Sequence, residues 1–227
     1  MEQTFLMQNN TPFIIAIDGT AGSGKGTLSK RLAKHFGYVH LDTGKLYRAT
    51  AYKVIKNGGD IHNVTDALDS VKTLEVDDFS NPELTSNDIG NGASIVSKIP
   101  EVRQALVAYQ HNFPNGNTGA VIDGRDIGTV IFPDANIKFF VDADVTVRAE
   151  RRTAELKSKE VKSKELKSKE LQSTEVNYDT ILTDLKARDE ADKNRAISPL
   201  VPAQDAHHID TSKIDIQAML EYALSKF

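Results

Sequence analysis

Two kinds of hydrophobic pattern alternate along this chain. Short runs at 13–17, 119–123 and 136–141 are predominantly apolar, and such runs are typical of strands that are buried on both faces of a parallel sheet. Between them, apolar residues recur at helical spacing, as Leu28 and Leu32 do. The alternation of strands and helices predicts an α/β domain built around a central parallel sheet.

Glycine and proline mark the ends of several predicted helices. Gly37 provides a stop after the first helix, and Pro100 suits the first turn of a later one. Residues 60–99 are polar and interrupted, and they predict two short helices at 66–74 and 88–98. The other predicted elements are strands at 38–42 and 207–210, a helix at 43–58, a helix from Pro100 with Val102, Leu106, Tyr109 and Phe113 facing inward, a helix at 178–196, and a last helix lined by Ile216, Met219, Leu220 and Ala223.

Residues 155–174 form a tandem five-residue repeat, ELKSK, EVKSK, ELKSK and ELQST. Each of the first three units places Glu four residues before Lys, which favours a helix. Because the apolar residue recurs every five positions, it spirals around that helix and forms no apolar face. We therefore predict an exposed, mobile helical arm. A basic arm that binds nucleic acid is the alternative, although the interspersed Glu residues largely cancel its charge.

Composition narrows the class of protein. The chain has 227 residues, 39% hydrophobic and 26% charged, which suits one globular domain over residues 1–227. The net charge of -4 gives no indication of nucleic-acid binding. The absence of cysteine excludes disulfides and thiolate metal sites and fits a cytoplasmic protein. No apolar stretch suits a signal peptide or a membrane span, so we expect no membrane partner.

The first predicted strand leads into a glycine-rich stretch, GTAGSGKGT, at 19–27. Its glycines allow successive backbone N–H groups to point inward and cradle phosphate oxygens. Lys25 adds a positive charge, and the following helix offers the positive end of its dipole. A buried strand, this loop and an amphipathic helix together predict a phosphate-binding loop, even though Gly26 separates Lys25 from Thr27. A purely structural glycine-rich turn is the alternative.

Polar residues follow two other predicted strands directly. Thr43, Tyr47 and Arg48 come after the strand at 38–42, and Gly124-Arg125-Asp126 come after the strand at 119–123. In a parallel sheet, ligands gather at the carboxyl ends of the strands. We therefore expect these residues to face whatever the phosphate loop binds, although Arg48 alone could equally be a surface charge.

Arginines flank the repeat on both sides. Arg148, Arg151 and Arg152 precede it, whereas Arg188 and Arg195 follow it on the helix predicted at 178–196. On that helix Arg188, Asp192 and Arg195 stand at i, i+4 and i+7 and would share one face. The arginine fork binds phosphate oxygens bidentately, so these residues are candidates for a lid over a polyphosphate. A surface ladder of ion pairs is the alternative.

These motifs together resemble those of the bacterial-type cytidylate kinases, within the nucleoside monophosphate kinase family. The resemblance covers nearly the whole chain through IDGTAGSGKGT, LDTGKLYR, IPEVRQAL, IDGRDIGTVIFPDA and ARDEADKNRAISPLVPAQDA. The stretch GRDIGTVIFPDA is the most discriminating, because adenylate and guanylate kinases do not carry it there. The resemblance implies a three-layer α/β phosphate-loop (P-loop) kinase with a core at about 11–58, 100–145 and 197–227, an insert for the nucleoside monophosphate at about 59–99, and an elongated helical lid at about 146–196.

The resemblance also implies an activity: phosphorylation of CMP and dCMP by ATP with Mg²⁺, in pyrimidine nucleotide metabolism, by a cytoplasmic monomer. It implies that the ATP contacts are Gly19, Thr20, Ala21, Gly22, Ser23, Gly24, Lys25, Gly26, Thr27 and Arg151, with Mg²⁺ near Thr27 either directly or through a water molecule. The implied catalytic residues are Lys25, Arg125, Arg188 and Arg195. The implied contacts to the acceptor are Thr43, Tyr47, Arg48, Ser94, Arg103, Arg125, Asp126, Arg188 and Asp192.

The chemistry of cytosine agrees with this assignment. A carboxylate such as that of Asp126 can accept from the cytosine amino group, where uracil offers only a carbonyl. Two features depart from the family: the segment 75–91 is shorter than the usual strand-bearing insert, and the repeat lengthens the lid. The alternatives are a kinase for another small acceptor, such as UMP or shikimate, and a nucleotide-binding switch without turnover.

Overall fold

One parallel sheet of five strands lies at the centre of the computed structural model, which describes residues 11–166 and 176–227. The spatial order is β2-β3-β1-β4-β5, so the strand that leads into the phosphate loop is in the middle. This confirms the parallel sheet predicted from the apolar runs. The strands are β1 (Phe13–Gly19), β2 (Val39–Asp42), β3 (Gly119–Gly124), β4 (Ile137–Asp142) and β5 (His207–Asp210).

Eight helices of the described residues surround this sheet. Two 3₁₀ turns, Val76–Ser80 and Pro82–Thr85, and one π-helical turn, Ile127–Ile131, lie between them. The helices are α1 (Lys25–Phe36), α2 (Thr43–Lys56), α3 (Val64–Lys72), α4 (Asn87–Val96), α5 (Pro100–Asn112), α6 (Val145–Leu166), α7 (Tyr178–Asn194) and α8 (Ile216–Leu224).

The alternation of side chains along β1 builds the two interfaces of a three-layer fold. Ile15 and Ile17 are fully buried on one face, in the cluster that contains α1 and α8. Ile14 and Ala16 are buried on the opposite face, in the cluster that contains the π-helical turn and that α5 covers in part through Val107. The apolar character of β1 at every position is therefore explained by burial on both faces, and the three-layer P-loop fold is confirmed.

A second apolar core lies beside the sheet and joins α2, α3, α4 and α5. Asn63 and Ser86 begin α3 and α4 as N-caps, each accepting from backbone N–H groups in the first turn. Both helices start one or two residues before the predicted positions. Residues 59–99, all of which the structure describes, contain helices and 3₁₀ turns but no strand, as expected for the short segment at 75–91.

Three expectations about helix faces and ends are wrong. Tyr109 remains 39% exposed, because α5 buries the ridge of Val102, Leu106 and Gln110 instead. Ile216 is 46% exposed, because it lies in the first turn of α8 and only later turns pack on the sheet. The helix predicted at 178–196 ends at Asn194, so Arg195 is an extended C-cap and lies outside the helix.

The repeat begins inside α6. That helix continues to Leu166, so the first part of the arm predicted at 155–174 is helical. The rest of the predicted arm, at 167–174, lies outside the described residues. In the part of the chain that the structure describes, no helix has the length and apolar character needed to cross a bilayer.

Candidate active site

The phosphate loop connects β1 to α1 in the middle of the sheet. Gly19 has a φ of 153°, and a Cβ there would lie 1.9 Å from the carbonyl oxygen of Val141, so β1 and β4 approach too closely for any side chain. Gly24 has a φ of 94° and precedes α1, whose first N–H groups are free of intrahelical partners. The glycines thus shape a loop that ends at the positive end of a helix, as a phosphate site requires.

Lys25 lies at the base of this loop. Its Nζ donates to the carbonyl oxygen of Thr20 at 3.1 Å. Burial, with a smaller effect of the neighbouring Arg125, lowers the pKa of Lys25 to about 7, although the carboxylates of Asp123 and Asp42 act in the opposite direction. A buried ammonium group in a cationic neighbourhood is a site that an anion would stabilise.

Two of the predicted ATP contacts have side chains that serve the loop itself. Thr20 is 1% exposed and its hydroxyl donates to Asp142 Oδ1 at 2.6 Å. Ser23 is fully buried and its hydroxyl donates to the carbonyl oxygen of Thr20 at 3.0 Å. The hydroxyl of Thr211 in turn donates to the carbonyl oxygen of Ser23 at 2.8 Å. Only the backbone of Thr20 and Ser23 therefore remains for a ligand.

The loop opens into a cleft with two adjoining parts. The larger, of about 1000 Å³, lies between the phosphate loop, the start of α8 and the helices α6 and α7. Arg151 stands on its wall and donates to the hydroxyl and the carbonyl oxygen of Thr211, at 3.0 and 2.6 Å. Among the predicted ATP contacts, Ala21, Gly22, Ser23, Gly24, Lys25, Gly26, Thr27 and Arg151 line this part.

The smaller part, of about 230 Å³, contains the predicted acceptor residues. Asp126 is 6% exposed and forms an ion pair with the equally buried Arg103, while Arg195 NH2 lies 3.8 Å from its other oxygen. Arg103 also lies over the ring of Tyr47, 5.8 Å from the centroid. The predicted acceptor residues all line this part: Thr43, Tyr47, Arg48, Ser94, Arg103, Arg125, Asp126, Arg188 and Asp192.

Arginines converge where the two parts of the cleft meet. Arg125 Nε donates to Asp192 Oδ2 at 2.7 Å, and although burial opposes it, Arg125 holds the pKa of Asp192 below its usual range. Burial and the nearby Arg125 and Arg48 lower the pKa of Arg188 to about 9, and its Nε finds no hydrogen-bond partner among the described residues. Such a group of mutually repelling, partly unsatisfied cations suits a polyphosphate.

Two other predicted arginines donate hydrogen bonds to the segment that precedes α4. Arg48 NH1 donates to the carbonyl oxygens of Leu84 and Ser86, so it is not a free surface charge. Arg152 NH2 donates to the carbonyl oxygen of Thr85 at 2.7 Å and thereby joins α6 to the same segment. Both arginines still line the larger part of the cleft.

Arg148 has a different position from the other arginines of α6. It is 3% exposed, and its guanidinium donates to the carbonyl oxygens of Ala143 and Ala21 at 2.8 and 3.0 Å. It also forms a bidentate pair with Asp189 on α7, at 3.2 and 2.6 Å. Arg148 therefore joins α6 and α7 to the phosphate loop and does not line the cleft.

Several residues of the site were missed by reasoning from the sequence. Asp189 lies in the stretch ARDEADKNRAISPLVPAQDA, but neither it nor Thr211 was assigned a role, because their partners are distant in the chain. Asp18, Asp42 and Asp123 each end or nearly end a strand, and that position at the carboxyl edge of the sheet could have indicated them. Asp42 lines both parts of the cleft.

The oxygen ligands that Mg²⁺ prefers are present beside the loop. Thr27 is exposed on the first turn of α1 and lines the larger part of the cleft. The carboxylates of Asp42 and Asp123 lie close enough to act on the pKa of Lys25. A hydroxyl, carboxylates and the phosphates of a nucleotide fit the hard, oxygen-rich coordination of this ion.

Comparisons with known proteins agree with this geometry. A family model described as Cytidylate kinase matches residues 15–227. A protein named Cytidylate kinase from Bradyrhizobium diazoefficiens (strain JCM 10833 / BCRC 13528 / IAM 13628 / NBRC 14792 / USDA 110) is 48% identical over 211 residues, covering 93% of each chain. One of the same name from Rhodopseudomonas palustris (strain BisB18) is 46% identical, again covering 93% of each.

A solved structure supports the fold alone. The crystal structure of an uncharacterized protein from Eubacterium ventriosum ATCC 27560 aligns with a TM-score of 0.53 and 15% identity, covering 94% of this chain and 97% of that one. The family match spans most of the chain, and the sequence identity to the relatives is high over the same region. The chain therefore belongs to the cytidylate kinase family.

Proposed function

We propose that this protein transfers the γ-phosphoryl group of ATP to CMP and dCMP. The observation that carries the proposal is the continuous cleft, in which a phosphate loop and a small pocket with a buried carboxylate meet at a cluster of arginines. One part of the cleft suits a nucleoside triphosphate, and the other suits a nucleoside monophosphate. The arginine cluster lies where the two phosphate groups would meet.

The donor would lie in the larger part of the cleft. The backbone N–H groups of the phosphate loop and of the first turn of α1 would bind its β- and γ-phosphates. Lys25 would neutralise the charge that these phosphates bring. Arg151, held by Thr211, would stand beside the nucleoside. Mg²⁺ held near Thr27, Asp42 and Asp123 would supply further neutralisation of phosphate charge when bound.

The acceptor base would meet Asp126 in the smaller part. One oxygen of Asp126 is taken by Arg103, and the other has only the more distant Arg195 as a neighbour. That second oxygen could accept from the amino group of cytosine, whereas the carbonyl of uracil at the same place would repel it. Arg103 would hold the carboxylate in position, and Ser94 lies on the same pocket wall.

Catalysis of phosphoryl transfer depends on positioning and charge neutralisation more than on covalent catalysis by the protein. An oxygen of the acceptor phosphate attacks the γ-phosphorus, the bond from that phosphorus to the bridging oxygen breaks, and ADP leaves. Arg125 and Arg188 lie at the junction of the two parts and would stabilise the charge on the transferring group. Asp192 orients the guanidinium of Arg125 by accepting from its Nε at 2.7 Å.

A product assay tests the reaction class and the acceptor. We would incubate the protein with Mg-ATP and CMP, dCMP, UMP, AMP or shikimate and measure each phosphorylated product. We expect CDP and dCDP to form rapidly, with UMP a poor acceptor. Turnover of UMP or shikimate in preference to CMP would assign another acceptor, and ATP binding without any product would indicate a switch.

Asp126→Asn tests how the base is read. The amide is nearly isosteric and still offers one oxygen to Arg103, so it avoids the two unpaired buried guanidinium groups that alanine would leave. We expect kcat/KM for CMP to fall at least tenfold and that for UMP to change much less. Equal losses for both acceptors would contradict the role of Asp126 in reading cytosine.

A further inference from the structure

A carboxylate outside the substrate pocket lies against the turn that carries Asp126. Asp18 is the penultimate residue of β1, is 4% exposed and is separated by more than a hundred residues from its partners. Its Oδ1 accepts from the backbone N–H of Ile127 and its Oδ2 from that of Gly128, both at 2.8 Å. The two oxygens thus take one N–H each.

These two N–H groups are the first of a helical turn. The π-helical turn Ile127–Ile131 begins directly after Asp126, and the leading N–H groups of any helical turn have no partner within it. An aspartate in the position of Asp126 would ordinarily accept with its own side chain from the second or third N–H of the turn, that of Gly128 or Thr129. Here the side chain of Asp126 makes no such bond. Its oxygens face Arg103 and Arg195 instead.

We infer that Asp18 is a positioning residue that caps this turn in place of Asp126, and so keeps the carboxylate of Asp126 free to read the acceptor base. The inference rests on the proposed function, since it assigns a cause to the orientation of Asp126 in the acceptor pocket. It also explains why a carboxylate is buried at the end of β1, next to the phosphate loop. The strand β1 then positions the ATP site through Gly19, and through Asp18 it positions the carboxylate of Asp126 that reads the acceptor base.

The charge on Asp18 is consistent with this role. Burial raises the pKa of Asp18 to about 6, while its hydrogen bonds to Gly128 and Ile127 act in the opposite direction. At neutral pH the group is therefore mainly a carboxylate, with both oxygens able to accept. A neutral amide in its place would offer one acceptor and one donor, so one of the two N–H groups would lose its partner.

Asp18→Asn and Asp18→Ala test the inference through selectivity. With its cap removed, the turn would compete for the carboxylate of Asp126. We expect the ratio of kcat/KM for CMP to that for UMP to fall at least tenfold in Asp18→Ala and by a smaller factor in Asp18→Asn. The dissociation constant for Mg-ATP should stay within threefold of the wild-type value. An unchanged ratio, with CMP still the preferred acceptor of the wild-type protein, would overturn the inference and leave the proposed function standing.

Asp142→Asn is the matched control. Asp142 ends the neighbouring strand β4 and accepts from the hydroxyl of Thr20 in the phosphate loop. Loss of the Asp142 carboxylate should weaken Mg-ATP binding and leave the ratio of kcat/KM for CMP to that for UMP unchanged. If Asp142→Asn lowers that ratio as much as Asp18→Asn does, general loosening of the sheet edge explains the effect and the inference fails.

Hydrogen exchange of the wild-type protein tests this anchor, the pair of hydrogen bonds that Asp18 accepts from Ile127 and Gly128, without any substrate or variant. The amide protons of Ile127 and Gly128 should exchange slowly, because both are bonded to a buried carboxylate. Fast exchange of these two amides in the folded protein would overturn the inference even if the variants fail to fold. If instead the wild-type protein shows no preference for CMP while these amides are protected, the anchor stands and the proposed acceptor is wrong.

Discussion

Binding of ATP should be accompanied by uptake of a proton at Lys25. In the free protein, burial is the main reason that the pKa of this ammonium group is about 7. At pH 8 about one tenth of the molecules then carry the charge. A phosphate charge about 4 Å away, at an effective dielectric constant of about 20, contributes about 4 kcal/mol. That is about 3 pKa units, enough to return Lys25 to the charged form.

The expected uptake at pH 8 is therefore about 0.9 proton per bound ATP. Isothermal titration calorimetry in Tris and in HEPES measures it, because these buffers release a proton with different enthalpies. Mg-ATP would be titrated without an acceptor, so that no turnover occurs. The other shifted groups contribute little at this pH: Asp18, with a pKa of about 6, is already ionised, and Arg188, with a pKa of about 9, is already mainly charged.

Lys25→Arg is the control for this measurement. Arginine keeps its charge at every pH of the experiment, so the variant should bind ATP with almost no proton uptake. An uptake below about 0.3 proton in the wild-type protein would refute the reasoning. The same uptake in Lys25→Arg as in the wild-type protein would assign the proton to another group.

Three further predictions concern stability and the lid. Gly19→Ala should lower the free energy of unfolding by about 3 kcal/mol, because its Cβ would lie 1.9 Å from a carbonyl oxygen of the neighbouring strand β4. Gly26→Ala meets no atom within 4 Å and should fold normally. Equal thermal midpoints for the two variants would contradict this prediction. Asp189→Asn should lower the free energy of unfolding by about 3–5 kcal/mol and reduce kcat, because it leaves the buried guanidinium of Arg148 poorly paired beside the phosphate loop. Thermal unfolding and single-turnover assays check this prediction. The control is Asp205→Asn, which breaks an ion pair outside the lining of the cleft. Because burial raises the pKa of Asp18 from 3.8 to about 6, the folded protein binds this proton more tightly than the unfolded chain does. The free energy of unfolding should therefore fall by about 3 kcal/mol as the pH rises from 3.8 to 6, and urea unfolding of Asp18→Asn should lack this part of the pH dependence.

The sequence predicted well those features that depend on neighbours in the chain. The apolar run of β1, the glycines of the loop and the stop at Gly37 all act through local backbone geometry or through burial on two faces. These features can therefore be recognised in the sequence itself. The motif residues at the ends of β2 and β3 could also be placed, because parallel strands present their carboxyl ends at one edge of the sheet.

Helix faces and ends were less accessible. An amphipathic pattern shows that a helix has a buried side but not how wide that side is, and α5 buries Gln110 while leaving Tyr109 39% exposed. The end of α7 before Arg195 follows from the contacts of that residue: its Nε donates to the carbonyl oxygen of Ser198, and its NH2 lies near Asp126. Such contacts override the helical periodicity on which the prediction rested.

Only the tertiary structure decided which charged residues act together. Arg103 and Asp126 are 23 residues apart in the chain, and Arg125 and Asp192 are 67 apart. A sequence shows that these side chains carry complementary charge, but pairing depends on where the fold brings them. The same reason explains why the partners of Asp18 could not be predicted, since the N–H groups that it accepts from reach it only when β1 and β3 lie side by side in the sheet.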